Sequence, residues 1–446
     1  ILFTIYGAFL QHSGAGKFFI DFSLKLMGNK PNAAGRTVVL SSFLLGGPSG
    51  SGVATTVTVG AIAYPLLSRA GYSREAAGGL LSAGGIGAVI SPPILGAAAF
   101  IIAEILKISY LEVLRMAIIP TILYYLSIFL MIELDARRFG LRQVAIQAER
   151  PGVLVAKYWY LLASLVLIPA FMLRGFTAIK AVLWAIIVTW LTSYLRRETA
   201  LTPPKFVAAL ANGSRQVLNI AVTTAAAGII VGIVNLTGLG LKLSDIIVGL
   251  AGQNLILTLL YSAVALWILG LALPITATYI IAAVIVAPAL VKLGVSELAA
   301  HMFIFYYSIL SEVSPPVGLS PMAAAALTGG NPFKTMLFAW KYTLPAFIVP
   351  FMFTVHPDGL GLLLKAPAAD VVKVLITAIA GLGAMAAGIN GWVIRKTTVL
   401  ERAALIVAGI LLVYPTAALD LFAAALVAGV FALQLLLKPK PAAQTR

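Results

Sequence analysis

Ser91-Pro92-Pro93 and Ser314-Pro315-Pro316 stand inside runs that otherwise read as continuous hydrophobic helix. A proline pair removes two backbone donors and interrupts the helical ladder, freeing carbonyls before the break and N–H groups after it. At membrane depth each such group costs roughly several kcal/mol without a partner, so breaks persist where they line a cavity or meet a ligand. Freed carbonyls with Ser and Thr hydroxyls are hard oxygen ligands for a small cation. The new helix N-termini offer N–H groups and a positive dipole end to a carboxylate. Glu312, two residues before Ser314 and flanked by Ile309, Leu310 and Val313, is the most unusual ionisable residue. An intramembrane carboxylate points to cation coordination or proton coupling, against the plainer role of an acid paired for packing.

The offset that carries Ser91 onto Ser314 also carries Ala54-Thr55 onto Ala277-Thr278, Pro65 onto Pro288 and Gly71 onto Gly294. It further superposes Ser73 on Ser296 and Ala76-Ala77 on Ala299-Ala300, so one module occurs twice. A single Pro-Pro reads as a kink in a packed helix, whereas two matched copies beside matched turns read as a paired site. The turns are Gly46 to Gly52 and Ala272 to Ala277, with tips at Pro48 to Gly52 and Pro274 to Thr278. Val89 stands where the second copy has Glu312, so the halves are not chemically identical. His301 reads as a packed, hydrogen-bonded histidine and Glu104 as interfacial. Thr223, Thr224, Asn235 and Thr237 are polar groups on one long helix, available to a substrate or to neighbouring helices.

The elements that carry these residues are membrane helices. With 61% hydrophobic and 10% charged residues and a mean hydropathy of +1.02, there is too little polar surface for a soluble globule. The net charge of +16 comes from residues between apolar segments, the pattern that sets membrane orientation, and not from a nucleic-acid-binding face. The absence of cysteine excludes disulfides, thiolate metal sites and a Cys nucleophile. The first residues lack the features of a signal peptide, and a preceding portion is expected.

The reading divides the chain into 1–35 (end of a helix and an interfacial helix), 36–132 (first repeat), 133–243 (connector and scaffold helices), 244–355 (second repeat) and 356–446 (C-terminal helices). In each repeat the arms beside the turn are short of the ~20 residues a spanning helix needs, which predicts a re-entrant hairpin. A broken span and a following helix complete the repeat. An odd number of crossings separates the hairpins, so the repeats are inverted. Lys and Arg fall mainly on the side from which the first hairpin enters, which makes that side, and the C-terminus, cytoplasmic.

Gly47-Pro48-Ser49-Gly50 also fits the GxSG pattern of rhomboid-like serine proteases, with His301 as the available partner. That reading leaves the repeat unexplained. The same glycines resemble a phosphate loop, but the missing Gly-Lys-Ser/Thr ending weighs against nucleotide binding more heavily still. A channel remains the alternative of a different class.

Gly50-Ser51-Gly52-Val53-Ala54, Gly84-Gly85-Ile86-Gly87 and Ser91-Pro92-Pro93-Ile94 resemble the large membrane subunit of TRAP (tripartite ATP-independent periplasmic) transporters. So do Leu269 to Pro274, Ala287-Pro288, Ser311 to Leu319, Ala323 to Ala326 and Gly330-Asn331-Pro332, which look most like fused permeases working with TAXI-type binding proteins. The resemblance implies an all-α polytopic membrane protein of elevator type, with a transport domain bearing both hairpins sliding against a scaffold. It implies cation-coupled uptake of a carboxylate across a bacterial or archaeal cytoplasmic membrane. The implied partners are a periplasmic TAXI-type substrate-binding protein and a small membrane subunit or fused N-terminal membrane region. A related elevator transporter without a binding protein is the nearest alternative. Sodium-site positions carry over to Ser49, Gly50, Ser51, Gly52, Ser91, Pro92, Thr276, Thr278, Ser314 and Pro315. Glu312 joins them, and could exchange a cation for a proton; Pro48 departs from the usual Ser or Ala. Substrate contacts are expected at Ser51, Thr55, Pro93, Asn235, Thr278 and Pro316. Na⁺ is the first choice of coupling ion and H⁺ the second, with no organic cofactor.

Overall fold

The computed structural model describes residues 1–437 except 29, 31, 50, 145–149 and 272, and does not describe the side chains at 47–49 and 219. Helices α1 (Leu2–His12) and α2 (Ala15–Met27) precede the first repeat. That repeat consists of α3 (Ala33–Ser49), α4 (Gly52–Arg69), α5 (Arg74–Gly87), α6 (Ala98–Ile105) and α7 (Tyr110–Phe139). Then come α8 (Pro151–Leu173), α9 (Ala178–Ser193), α10 (Pro203–Leu236) and α11 (Leu239–Leu250). The second repeat comprises α12 (Leu255–Leu269), α13 (Ile275–Lys292), α14 (Glu297–Ser311), α15 (Leu319–Thr328), α16 (Pro332–Thr343) and α17 (Val349–Met352). A C-terminal unit of α18 (Ala368–Asn390), α19 (Val399–Leu411) and α20 (Ala417–Leu436) follows. Among the described residues six helices are long and apolar enough to cross a membrane, and there is no strand beyond one isolated bridge between Trp392 and Lys396.

The residues shared by the two repeats are the punctuation of these helices. Ser73 caps α5 by accepting from Ala76 N (3.1 Å), and Ser296 caps α14 by accepting from Ala299 N (3.2 Å). Gly71 (φ 95°) and Gly294 (φ 90°) take the left-handed conformation that ends α4 and α13. Just beyond them, Tyr72 N donates to Leu67 O and Val295 N to Leu290 O, each at 3.1 Å. Pro65 and Pro288 lie inside α4 and α13.

The broken helices form the centre. Every residue of α5 from Ala76 and of α14 from Ala299 is buried. Small residues let neighbours approach closely, the mode of packing available where lipid supplies no hydrophobic drive between helices. A Cβ on Gly79 would come within 2.5 Å of Phe338, because α16 of the second repeat packs directly on α5 of the first. Helix α15 likewise packs on α4 and α5, so the two repeats interlock. Around them α1, α8, α9 and α10 pack on one another and present large apolar side chains outward, among them Leu191, Ile229 and Leu236.

Some elements differ from expectation. Helix α7 runs on to Phe139, because no proline or glycine stands between Ile132 and Gly140, which ends it at φ 60°. The second follower is not one helix: after α16, a 3-10 turn at Leu344–Ile348 and short α17 replace it, with Pro345 and Pro350 removing donors from the ladder. Residues 203–236, by contrast, form the one long helix expected to carry Thr223, Thr224 and Asn235.

Candidate functional site

Helix α4 begins at Gly52 with Ser51 as its cap, the Ser51 side chain accepting from Ala54 N at 3.3 Å. Helix α13 begins at Ile275 after Pro274. Both starts open into one cavity of about 350 Å³, with Ser51 to Ala54 on one wall and Pro274 to Thr276 on another. Val89 and Glu312, from the two breaks, line it as well. The first N–H groups of a helix have no intrahelical acceptor, and each N-terminus carries a partial positive charge of about half a unit. Among the described residues the lining contains no Lys, Arg or His, and the positive potential they offer to an anion is that of the backbone.

The breaks repeat each other in detail. Ser91 donates to Gly87 O (2.6 Å) and Ser314 to Leu310 O (2.8 Å), each four residues back, which leaves the hydroxyl oxygens with lone pairs to offer. Both prolyl bonds, Pro92-Pro93 and Pro315-Pro316, are cis. Carbonyls freed by the first break find donors on neighbouring elements: Thr121 donates to Ile90 O (2.6 Å) and Gly96 N to Val89 O (2.7 Å). Hairpin tips seat on the breaks through glycine. A Cβ on Gly46 would overlap Ala88, one on Gly85 would overlap Thr56 Oγ1, and one on Gly270 would overlap Ser311 Oγ.

Glu312 is 5% exposed, and its Oε1 has no hydrogen-bond partner. Ser320 is its polar neighbour and lies 3.1 Å from Thr56 Oγ1. Gly52 faces the free oxygen so closely that a Cβ there would sit 3.1 Å from it. The second-repeat acid therefore reaches the tip of the first-repeat hairpin.

Of the residues singled out in the sequence, Ser51, Gly52, Thr276 and Glu312 meet at the cavity. Thr55 and Thr278 are buried one turn deeper, their hydroxyls donating to Ser51 O (2.9 Å) and Pro274 O (3.3 Å). Ser91 and Ser314 are fully buried in the breaks, with Pro92, Pro93, Pro315 and Pro316 partly or fully exposed beside them. Gly50 and the Ser49 side chain lie outside the described residues. Asn235 is exposed at the end of α10 and does not line the cavity. Thr223 does, with Gln216 and Ile220 on the same face of α10 and Thr4 on α1. The 216, 220, 223 spacing is the available sequence signal for that face. His301 is packed as expected, 2.7 Å from Tyr279 OH.

Two interlocked copies of a hairpin and a broken helix, opening their helix starts into one cavity, define a multi-pass membrane transport protein. Residues 1–358 match the family described as "Tripartite ATP-independent periplasmic transporter, DctM component", and the chain belongs to that family as a large membrane subunit. It is 25% identical over 368 residues to the 2,3-diketo-L-gulonate TRAP transporter large permease protein YiaN of Escherichia coli (strain K12), covering 81% of this chain and 85% of that protein. It is 22% identical over 365 residues to the C4-dicarboxylate TRAP transporter large permease protein DctM of Rhodobacter capsulatus, covering 78% and 82%. These relatives are transporters, and the chain is a transporter subunit of the inner membrane, not an enzyme.

Proposed function

We propose that this subunit imports an organic acid handed over by a periplasmic binding protein, by cation-coupled elevator movement of the two repeats against the surrounding helices. The observation that carries the reading is the convergence of the α4 and α13 N-termini on a cavity whose described lining residues include no basic side chain, beside a buried carboxylate. Helix starts of inverted repeats facing a shared site suit an anionic substrate and its coupling ion. The names of the relatives, a diketo-gulonate and a C4-dicarboxylate permease, agree with a carboxylate. Ser51, Thr276 and the break at Ser91 and Ser314 are the proposed ion ligands, with Na⁺ as the ion. The binding protein is proposed to be of the TAXI type, and the membrane partner a small subunit or a fused N-terminal region.

Proton coupling is the second reading, favoured by Glu312. A carboxylate with an unpartnered oxygen in a buried site needs a proton or a cation to offset its desolvation. Uptake in proteoliposomes with the cognate binding protein, under a Na⁺ gradient or a pH gradient imposed separately, tests both. A Na⁺ gradient alone is expected to drive accumulation. Drive by the pH gradient alone would replace Na⁺ with H⁺, and uptake without any binding protein would overturn the tripartite reading.

A further inference from the structure

Residues beyond 358 lie outside the family match, yet they are bound into its core by buried polar contacts. Asp135, on α7, has a side chain only 2% exposed. Its carboxylate accepts from Lys341 Nζ (2.6 Å) and Tyr342 OH (2.9 Å) on α16, and from Asn390 Nδ2 (2.7 Å) at the end of α18. One side chain thus joins the first repeat, the second repeat and the C-terminal unit. Arg138, one turn further along α7, donates to the Asn390 carbonyl at 2.5 Å. At the opposite end of α7, Lys365 forms an ion pair with Glu112.

The spacing of the two attachments matters. Glu112 and Asp135 lie on one continuous helix, about 35 Å apart at 1.5 Å per residue, and α18 packs on α7 between them. A single attachment permits pivoting, whereas two at opposite ends fix α18 along the length of α7. Helix α7 is itself fastened to the first break, through Thr121 to Ile90 O and Tyr124 to Ala83 O, both 2.6 Å.

We infer that the C-terminal unit α18–α20 travels with the site-bearing repeats and not with the surrounding helices, and that Asp135 is the positioning residue that fastens it to them. The inference rests on the proposed sliding of the repeats. In this arrangement the moving body is larger than the family core by three helices, and substrate passage requires α18 to keep register with α7.

The chain has no cysteine, so introduced thiols are the only ones present. Glu112→Cys with Lys365→Cys, bridged by a short bismaleimide, links the C-terminal unit to α7. Val234→Cys with Val284→Cys links surrounding helix α10 to hairpin helix α13, both side chains lying 3.1 Å from the position that a Cβ on Gly240 would take. In proteoliposomes the second link is expected to abolish uptake and the first to leave at least half of it. Loss of uptake with both links overturns the inference and leaves the sliding reading intact. Full uptake with the second link removes the sliding reading, and the inference with it. Asp135→Asn is expected to lower maximal uptake about tenfold with an unchanged KM for loaded binding protein. Bridging the 112–365 pair in that background should bring the rate back to within threefold of the unsubstituted protein. Asn390→Leu, which leaves the Asp135–Lys341 pair in place, provides the same comparison should Asp135→Asn fail to fold. A bridge that restores neither variant overturns the positioning role.

Discussion

Val89 and Glu312 hold the same place in the two repeats, two residues before Ser91 and Ser314, and both line the cavity. The architecture is duplicated but the ionisable group is not. Glu312→Gln keeps the shape and removes the charge, and it is expected to lower coupled uptake at least about tenfold, equivalent to about 1.4 kcal/mol of barrier. Association with the loaded binding protein should be unchanged. Uptake assays under each gradient, with a pull-down of the binding protein as control, provide the check, and unchanged uptake under both gradients would remove Glu312 from the coupling chemistry.

Gly85 and Gly270 sit where a hairpin meets a break with no space for a side chain. Gly85→Ala and Gly270→Ala are each expected to destabilise the protein by about 1–3 kcal/mol, the usual cost of overpacking. Gly228→Ala on α10 has open space around it and gains helix propensity, so it should be neutral or slightly stabilising. Thermal unfolding in detergent, followed by tryptophan fluorescence, separates the two classes.

Ser73 and Ser296 perform the same capping task in the two repeats. Ser73→Ala and Ser296→Ala should each cost about 1 kcal/mol, and the double variant about the sum, since the caps share no partner. Denaturant titration of the three variants tests this. A cost confined to one of the two would break the equivalence of the repeats.

Gln216 faces the cavity from α10 and Asn235 faces away from it. Gln216→Leu is expected to raise the KM for transported substrate by about three- to tenfold while leaving the ion dependence unaltered, through loss of one polar contact. Asn235→Leu should leave both unchanged. Concentration series at fixed ion gradient distinguish these outcomes.

The hairpins and breaks were legible in the sequence because their signals are local. Glycine at a left-handed stop, serine at a cap and paired prolines at a break act within a few residues of their own position, and each occurs twice. Helix α11 is not legible in the same way: Lys242 and Asp245 break its apolar run, and only Gly238 at φ 67° marks where it opens. Gln216 is one of several polar residues on a long helix that also bears Thr223, Thr224 and Asn235, and only the packing of α10 beside the tips selects which of them face inward. Asp135 stood at the edge of a charged connector. Its partners Lys341, Tyr342 and Asn390 are far away in the chain, and no local pattern announces a contact of that kind.

The caps and stops also bear on how such a chain can arise. Each repeat carries its own Ser start and Gly stop, Ser73 with Gly71 and Ser296 with Gly294, and takes neither from the flanking helices. A segment punctuated in this way folds alike whichever leaflet it enters from, while its direction is left to the Lys and Arg of the loops. Duplication of one ancestral segment would then be enough to produce two halves with the same internal punctuation without redesign of either interior.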